Sequence, residues 1–245
     1  MILFTADWHI KLGQKNVPKE WALKRYNMFF DQVHSYCKQC DSHIIGGDLF
    51  DRLPSMEELE LYFSFIRNVR VSTIIYDGNH EATKKYKTFF SQLKQVSRDI
   101  NPLIHIVDMS YIDTDVGFGI LPYADLHREG SIEHFDTSQP LFTHVRGEIP
   151  PHVKPETELD RFAEFPVVFA GDLHAHSNTQ RNIVYPGSPM TTSFHRKEVS
   201  TGCLFINEKT WSWVWEPFDL PQLIRKTVTD PKDMVATEYH HTIYE

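Results

Sequence analysis

Apolar residues come in short runs along this chain, and each run stops at a polar cluster. Residues 1–6 read as a buried strand that ends at Asp7. Trp21, Leu23, Tyr26, Phe29, Phe30, Val33 and Cys37 recur at helical spacing, which predicts a helix over residues 18–40 with Pro18 in its first turn. A short apolar strand over 43–47 ends in Gly-Gly-Asp. Ser55 with Glu58 three residues on has the form of a capping box. The helix it opens runs to about residue 68, with Leu59, Tyr62, Phe63 and Ile66 inward. The β-branched run 71–76 ends in Asp-Gly-Asn-His, and residues 84–97 return to helical spacing. Strand and helix alternate, so the first hundred residues are expected to be α/β.

After Pro102 the pattern shortens. Residues 103–107, 111–112, 117–121, 139–143, 166–170, 182–185, 202–207 and 211–215 all read as short strands separated by turn residues. The proline-bearing stretch 144–165 predicts a long surface loop, with a helical turn at 158–164. No internal repeat and no low-complexity run interrupts the chain. Past Pro217 the apolar density falls. The expected division is one domain over residues 1–217 and a short C-terminal tail over 218–245, a candidate partner-docking segment. Its last part, 227–245, reads as a frayed tail, a docking helix or the start of something longer.

Composition narrows the class. The 245 residues carry 25 Lys and Arg against 33 Asp and Glu, a net charge of −8, which excludes holding nucleic acid by bulk positive charge. Three cysteines exclude a disulfide scaffold. Cys37 and Cys40 form a lone C-x-x-C that reads as two ordinary thiols on a helix face. There is no signal-peptide pattern at the N-terminus and no run of the roughly 18 apolar residues that a spanning helix needs. The expected location is cytoplasmic, with no membrane partner. The unusual number is 14 histidines, and their placement decides what they mean.

Five predicted strand ends carry polar clusters: Asp7-Trp8-His9, Gly47-Asp48-Leu49-Phe50-Asp51-Arg52, Gly78-Asn79-His80-Glu81, Thr143-His144, and Gly171-Asp172-Leu173-His174-Ala175-His176. In α/β sheets ligands gather beyond the carboxyl ends of strands, so these clusters are expected to converge. Carboxylate and amide oxygens with imidazoles suit Mn²⁺, Fe²⁺ or Zn²⁺. Residues two apart in extended backbone point the same way, which lets Asp7 with His9, and His174 with His176, reach one metal pair.

In this order the clusters resemble the calcineurin-like metallophosphoesterase superfamily, whose signature runs D-x-H, G-D-x-x-D, G-N-H-D/E, a single His and a closing H-x-H. The resemblance spans about residues 3 to 195. It implies a four-layer α/β/β/α sandwich around two divalent metal ions, Mn²⁺ first, with Fe²⁺, Zn²⁺ or Mg²⁺ as substitutes. By that resemblance Asp7, His9 and His176 hold one metal, Asn79, His144 and His174 hold the other, and Asp48 bridges them. His80 is then the catalytic donor to the leaving oxygen, with Asp51 holding its tautomer. The family usually closes with G-H-x-H. Here either His174 and His176 are the pair and Leu173 replaces the glycine, or Asp172 takes the first place. The His pair keeps the H-x-H spacing and is adopted.

Two substrate classes resemble different parts of the chain. G-D-x-x-D-R with G-N-H-E is similar to protein Ser/Thr phosphatases, in which Arg52 would grip the substrate phosphate; the chain lacks the glycine that follows D-x-H there. Tyr185-Pro186-Gly187-Ser188-Pro189 followed by Ser193-Phe194, with Leu121-Pro122-Tyr123 upstream, is similar to SbcD-type DNA repair nucleases. That resemblance implies DNA as substrate, exonuclease or endonuclease action in repair or recombination, and a separate SMC-like (SbcC-type) ATPase chain, with a homodimer as a further expectation. No P-loop pattern occurs in this chain. Lys11, Lys15, Arg52, Lys84, Lys85, Arg146, Arg181, Arg196 and Lys197 lie in or near the motif loops and form a candidate phosphate-backbone rim. Trp8 reads as either a base-stacking residue or a hydrophobic shelf under the site.

Overall fold

The computed structural model describes residues 1–84 and 87–245, with residues 83 and 84 by backbone alone. Lys85 and the side chain of Lys84, both expected in the cationic rim, lie outside the described residues.

The chain begins with β1 (Ile2–Thr5), α1 (Lys19–Cys37), β2 (Ser42–Gly46), α2 (Met56–Arg67) and β3 (Ser72–Tyr76). A small hairpin, β4 (Ala82–Lys84) and β5 (Lys87–Thr88), precedes α3 (Phe90–Ile100). There follow β6 (Ile104–Val107), β7 (Tyr111–Asp113), β8 (Phe118–Leu121), the single turn α4 (Tyr123–Leu126), β9 (Leu141–His144), β10 (Val168–Gly171) and β11 (Ile183–Val184). The chain closes with β12 (Gly202–Ile206), β13 (Trp213–Pro217), β14 (Leu223–Lys226) and β15 (His241–Tyr244). The capping box that opens α2 forms in both directions between Ser55 and Glu58.

Two sheets pack face to face, in the orders β13-β12-β1-β2-β3-β6 and β11-β10-β9-β8-β7. Phe4, Ile44, Ile74 and Tyr76 of the first sheet meet Ile120, Phe142, Phe169 and Val184 of the second. The other face of the first sheet is covered by α1, α2 and α3, where Trp8, Phe29, Phe30, Phe65 and Phe90 are buried together. Each such side chain contributes on the order of 1.5–3 kcal/mol through its removal from water. The outer face of the second sheet is covered more thinly, by α4, a 3₁₀ turn at Leu159–Phe162 and loop residues such as Phe135 and Phe165. The layer order is therefore the expected helix–sheet–sheet–helix, with a short fourth layer.

Two departures from the sequence reading stand out. The helical spacing from residue 84 becomes a helix only at Phe90, because Phe90 and Leu93 are the first side chains of that phase to be buried, and Glu81 first closes the hairpin by accepting from the Phe89 amide. The segment beyond Pro217 forms two strands with one 3₁₀ turn at Pro231–Asp233 between them. Phe218 and Leu220 join the main core, and β14 pairs in parallel with β15.

Strand direction places the site. β1, β2, β3 and β6 run parallel, as do β8, β9 and β10. The carboxyl ends of β1, β2 and β3 thus lie at one edge of the first sheet. His144, at the end of β9, donates from Nδ1 to the Gly46 carbonyl at 2.9 Å, and Tyr76 donates to the Thr143 carbonyl at 2.9 Å. Those two bonds join the sheets where the polar clusters emerge.

Candidate metal centre

The segment after β1 is zipped onto the segment after β2. Asp7 and His9 donate their amides to the carbonyls of Gly47 and Asp48 at 3.1 and 2.9 Å. This forces the backbone out of its ordinary range: Asp7, His9 and Asp48 have φ of 57°, 46° and 50°, and Asp172, after β10, has φ of 103°. Residues other than glycine held at positive φ store strain, and such strain concentrates at functional sites. Gly47 has φ 84° and has no room for a side chain, since a Cβ there would stand 2.5 Å from His144 Nδ1.

The side chains converge around Asp48. Its Oδ2 lies 3.6 Å from His9 Nε2, 3.5 Å from His144 Nε2 and 3.8 Å from His80 Nε2. His144 Nε2 is 3.0 Å from Asn79 Oδ1, and His9 Nε2 is 3.0 Å from His174 Nε2. Asp7 closes the set: its donor atoms fall within 4.8 Å of those of His9 and His174, and of Asp48 and His144. The structure thus brings together Asp7, His9, Asp48, Asn79, His80, His144 and His174.

The electrostatics fit a cation site. Asp7, Asp48 and the carboxylate of Asp172 are almost wholly buried. Burial, then the neighbouring Asp48 and Asp172, pushes the Asp7 carboxyl well above the usual carboxylate range, although His144 opposes it. Burial would also raise Asp48, but His144, His9 and His80 outweigh it and hold that carboxyl below the usual range. His144 is driven the other way: burial disfavours its charge, yet Asp48, Asp7 and Asp172 raise it well above an ordinary imidazole. Burial leaves His9 deprotonated, its pKa lowered to about 3, which keeps its nitrogen available as a ligand. Without a cation the site is balanced only by a proton held on His144 and another favoured on Asp7, and a bound cation would take the place of that charge. The donor set fits divalent metal.

Other predicted residues are placed differently. His176 and Asp172 both fall outside the donor groups found among the described residues. His176 Nδ1 donates to the Tyr185 carbonyl at 2.6 Å, and its ring stacks on Trp215 at 5.5 Å. Asp51 meets His80 through its peptide carbonyl, which accepts from Nδ1 at 2.5 Å, and not through its carboxylate. The carboxylate faces Lys11 Nζ at 2.7 Å and His9 Nδ1 at 3.7 Å. Arg52 is half exposed and donates to Glu58 Oε1 at 3.1 Å. Trp8 is buried against Phe29 and Phe65, so it is the shelf beneath the site. Of the expected rim, Arg146 pairs with Asp172 and Arg181 with Asp160.

Comparison with known proteins then decides the family. Residues 1–175 match the profile of the calcineurin-like phosphoesterases. This protein is a member of that family. The phosphoesterase is 40% identical, over 100% of its length and 77% of the relative's, to "Probable exonuclease subunit 1" of Escherichia phage T5. It is 25% identical, over 94% of its length and 83% of the relative's, to protein 244L of Invertebrate iridescent virus 6, whose name suggests a phosphoesterase. A solved protein of Thermus thermophilus shares the fold, with a TM-score of 0.52 at 12% identity over 88% of this chain and 97% of that one. The phosphoesterase is a metal-dependent hydrolase, and its family uses a dinuclear divalent centre.

Several residues the sequence reading named have supporting contacts it did not assign. Glu81 is buried and accepts from the amides of Asp48, Phe50 and Gly78 at 3.0, 2.8 and 2.8 Å. Burial, then Asp48, pushes its carboxyl up to about 8. Its place as the last letter of G-N-H-E was the available signal. Glu58 accepts from the amides of Leu12 and Ser55 as well as from Arg52, tying the first two motif loops to the start of α2. The Tyr185–Pro189 turn is a clamp: Ser188 bonds the Asp7 carbonyl, its amide bonds the His174 carbonyl, and Tyr185 bonds the Val145 carbonyl.

Proposed function

We propose that this phosphoesterase is a DNA nuclease of the SbcD type, a phosphodiesterase that works with two divalent cations, Mn²⁺ foremost. The observation that carries the reading is 40% identity, across the whole chain, to a phage protein whose name calls it an exonuclease subunit. The word subunit supports a second chain. An SMC-like ATPase suits that place, since this chain carries no P-loop of its own.

In this reading Asp7 and His9 would hold one cation and Asn79 and His144 the other, with Asp48 between them. The closing run, residues 171–176, supplies the remaining donors. Two bound cations would supply Lewis acidity, lowering the pKa of a water and neutralising charge on the phosphate. His144 is aimed by its Nδ1 proton on the Gly46 carbonyl, which leaves Nε2 for the metal. His80 stands at the open side of the site, its ring 4.7 Å from that of His9. With Nδ1 anchored on the Asp51 carbonyl, a protonated ring presents Nε2–H to the leaving oxygen. Lys11, Lys15, Arg52 and Arg146 are the motif-loop cations offered to the phosphate backbone, although Lys11, Arg52 and Arg146 also face Asp51, Glu58 and Asp172.

The test is the purified protein with Mn²⁺, offered bis-p-nitrophenyl phosphate, p-nitrophenyl phosphate, a phosphopeptide and end-labelled duplex DNA, beside His80→Ala. The diester and the DNA are expected to be cut. Cleavage of the monoester or phosphopeptide with DNA untouched would instead make it a phosphomonoesterase.

A further inference from the structure

The closing run contains three candidate donors, Asp172, His174 and His176, and only two ligand positions remain. The geometry points to Asp172 and His174 as the pair. We propose that Asp172 replaces the first histidine of the family's G-H-x-H and completes the His144 position with a third oxygen, while His174 completes the Asp7–His9 position. The proposal rests on the two-metal reading above.

Donor spacing is the first argument. Two donors at about 2.1 Å from one cation stand about 3.0 Å apart at right angles and about 4.2 Å apart across it. Around His144 Nε2 the structure places Asn79 Oδ1 at 3.0 Å, Asp48 Oδ2 at 3.5 Å and Asp172 Oδ1 at 4.0 Å. Each spacing falls in the range for ligands of a single ion. On the other side His174 Nε2 is 3.0 Å from His9 Nε2, and both group with Asp7. Thr192 Oγ1 lies 3.2 Å from His174 Nδ1 and fixes that ring from behind.

The glycine fixes the reading frame. At Gly171 a Cβ would stand 2.6 Å from His144 Nδ1 and would also strike the Gly46 carbonyl. Only glycine fits there, so Gly171 is the glycine that precedes the first donor. Asp172 then holds the first donor place and His174 the second, two residues on. The Asp172 amide donates to both oxygens of Asp7 at 3.1 and 3.2 Å, which holds the strained residue over the site. Arg146 grips the Asp172 carboxylate from outside at 3.3 Å, as partners of ligand carboxylates do. His176 is occupied elsewhere, pinning the Tyr185 carbonyl and stacking on Trp215.

The consequence is chemical asymmetry. The Asp7 position has two imidazoles and two carboxylates, whereas the His144 position has one imidazole and three oxygens. The oxygen-rich position favours harder cations, Mn²⁺ or Mg²⁺, over Zn²⁺.

Metal binding is measured by calorimetry and elemental analysis, with Mn²⁺ and Zn²⁺ separately, and by the spin-coupled EPR signal of a Mn²⁺ pair. The parent is expected to bind two Mn²⁺ per chain. Asp172→Asn should keep one and weaken the other at least about tenfold, with the coupled signal lost. Asp172→His should bind two ions and shift the second position toward Zn²⁺. His176→Gln should bind two Mn²⁺ as the parent does. Parent-like binding in Asp172→Asn, or loss of one ion in His176→Gln, overturns the assignment while leaving two metals in place. Fewer than two Mn²⁺ in the parent overturns the two-metal reading itself. Circular dichroism and thermal midpoints of each variant separate lost ligands from lost folding.

Discussion

The Ser188 hydroxyl lies 2.8 Å from the backbone carbonyl of Asp7, across 181 positions of sequence, and shares its one proton between that carbonyl and the Met190 carbonyl at 2.7 Å. Both groups are buried, and the bond holds Asp7 in its left-handed backbone conformation from the far side of the site. Ser188→Ala leaves a buried carbonyl without this donor, a loss of about 1–3 kcal/mol. Urea unfolding should show that decrease, and Mn²⁺ affinity should fall with it. Unchanged values for both would dissociate the turn from the metal centre.

Gly171→Ala places a methyl group against the Gly46 carbonyl and the His144 ring. Both are fixed by the bond that joins the two sheets, so neither can yield cheaply. Overpacking of this kind costs about 1–3 kcal/mol. A lowered thermal midpoint together with reduced Mn²⁺ stoichiometry is the expected result.

His80→Asn removes the exposed ring while leaving Asp7, His9, Asp48 and His144 in place. Turnover of bis-p-nitrophenyl phosphate should fall by about 10²–10⁴-fold, the usual worth of a positioned proton donor. Bound Mn²⁺ per chain should not change. Full turnover in the variant would remove His80 from the reaction.

Arg52 and Glu58 separate grip from architecture. Arg52 is half exposed, so Arg52→Ala should raise KM for phosphodiesters with little effect on unfolding. Glu58 is buried and takes the amides of Leu12 and Ser55 in addition to Arg52. Those bonds hold its carboxyl below the ordinary glutamate range against the opposing effect of burial. Glu58→Gln should therefore lose stability as well as raise KM, and urea unfolding beside steady-state kinetics distinguishes the two variants.

His43 gives the stability of the fold an acid limb. Its ring is buried, shares a hydrogen bond of 2.9 Å with Thr5, and has its pKa lowered by burial to about 3. The folded state keeps the ring neutral, while the unfolded chain protonates it near 6.5. The unfolded state therefore binds more protons between those values, and stability falls as pH drops from 6.5 toward 3. Urea midpoints between pH 7.5 and 5 should decline, and less steeply in His43→Phe.

Local chemistry made much of this legible from the sequence. The capping box at Ser55 and Glu58, the apolar stripe of α1 and the alternation of strands with helices rest on neighbours within a few residues. The order of the five polar clusters at strand ends fixed where the site would form, because parallel strands carry their carboxyl ends to one edge. Tertiary structure decided what spacing could not. H-x-H is a pattern along one strand end, but where Asp172, His174 and His176 stand depends on Gly171 packing against Gly46 and on Trp215 taking the His176 ring. The turn at Asp51 sends its carbonyl to His80 and its carboxylate to Lys11. The segment past Pro217 gains its two strands only by pairing β14 with β15. Each of these depends on contacts between distant parts of the chain, and a contact made by folding leaves no periodic mark on the sequence.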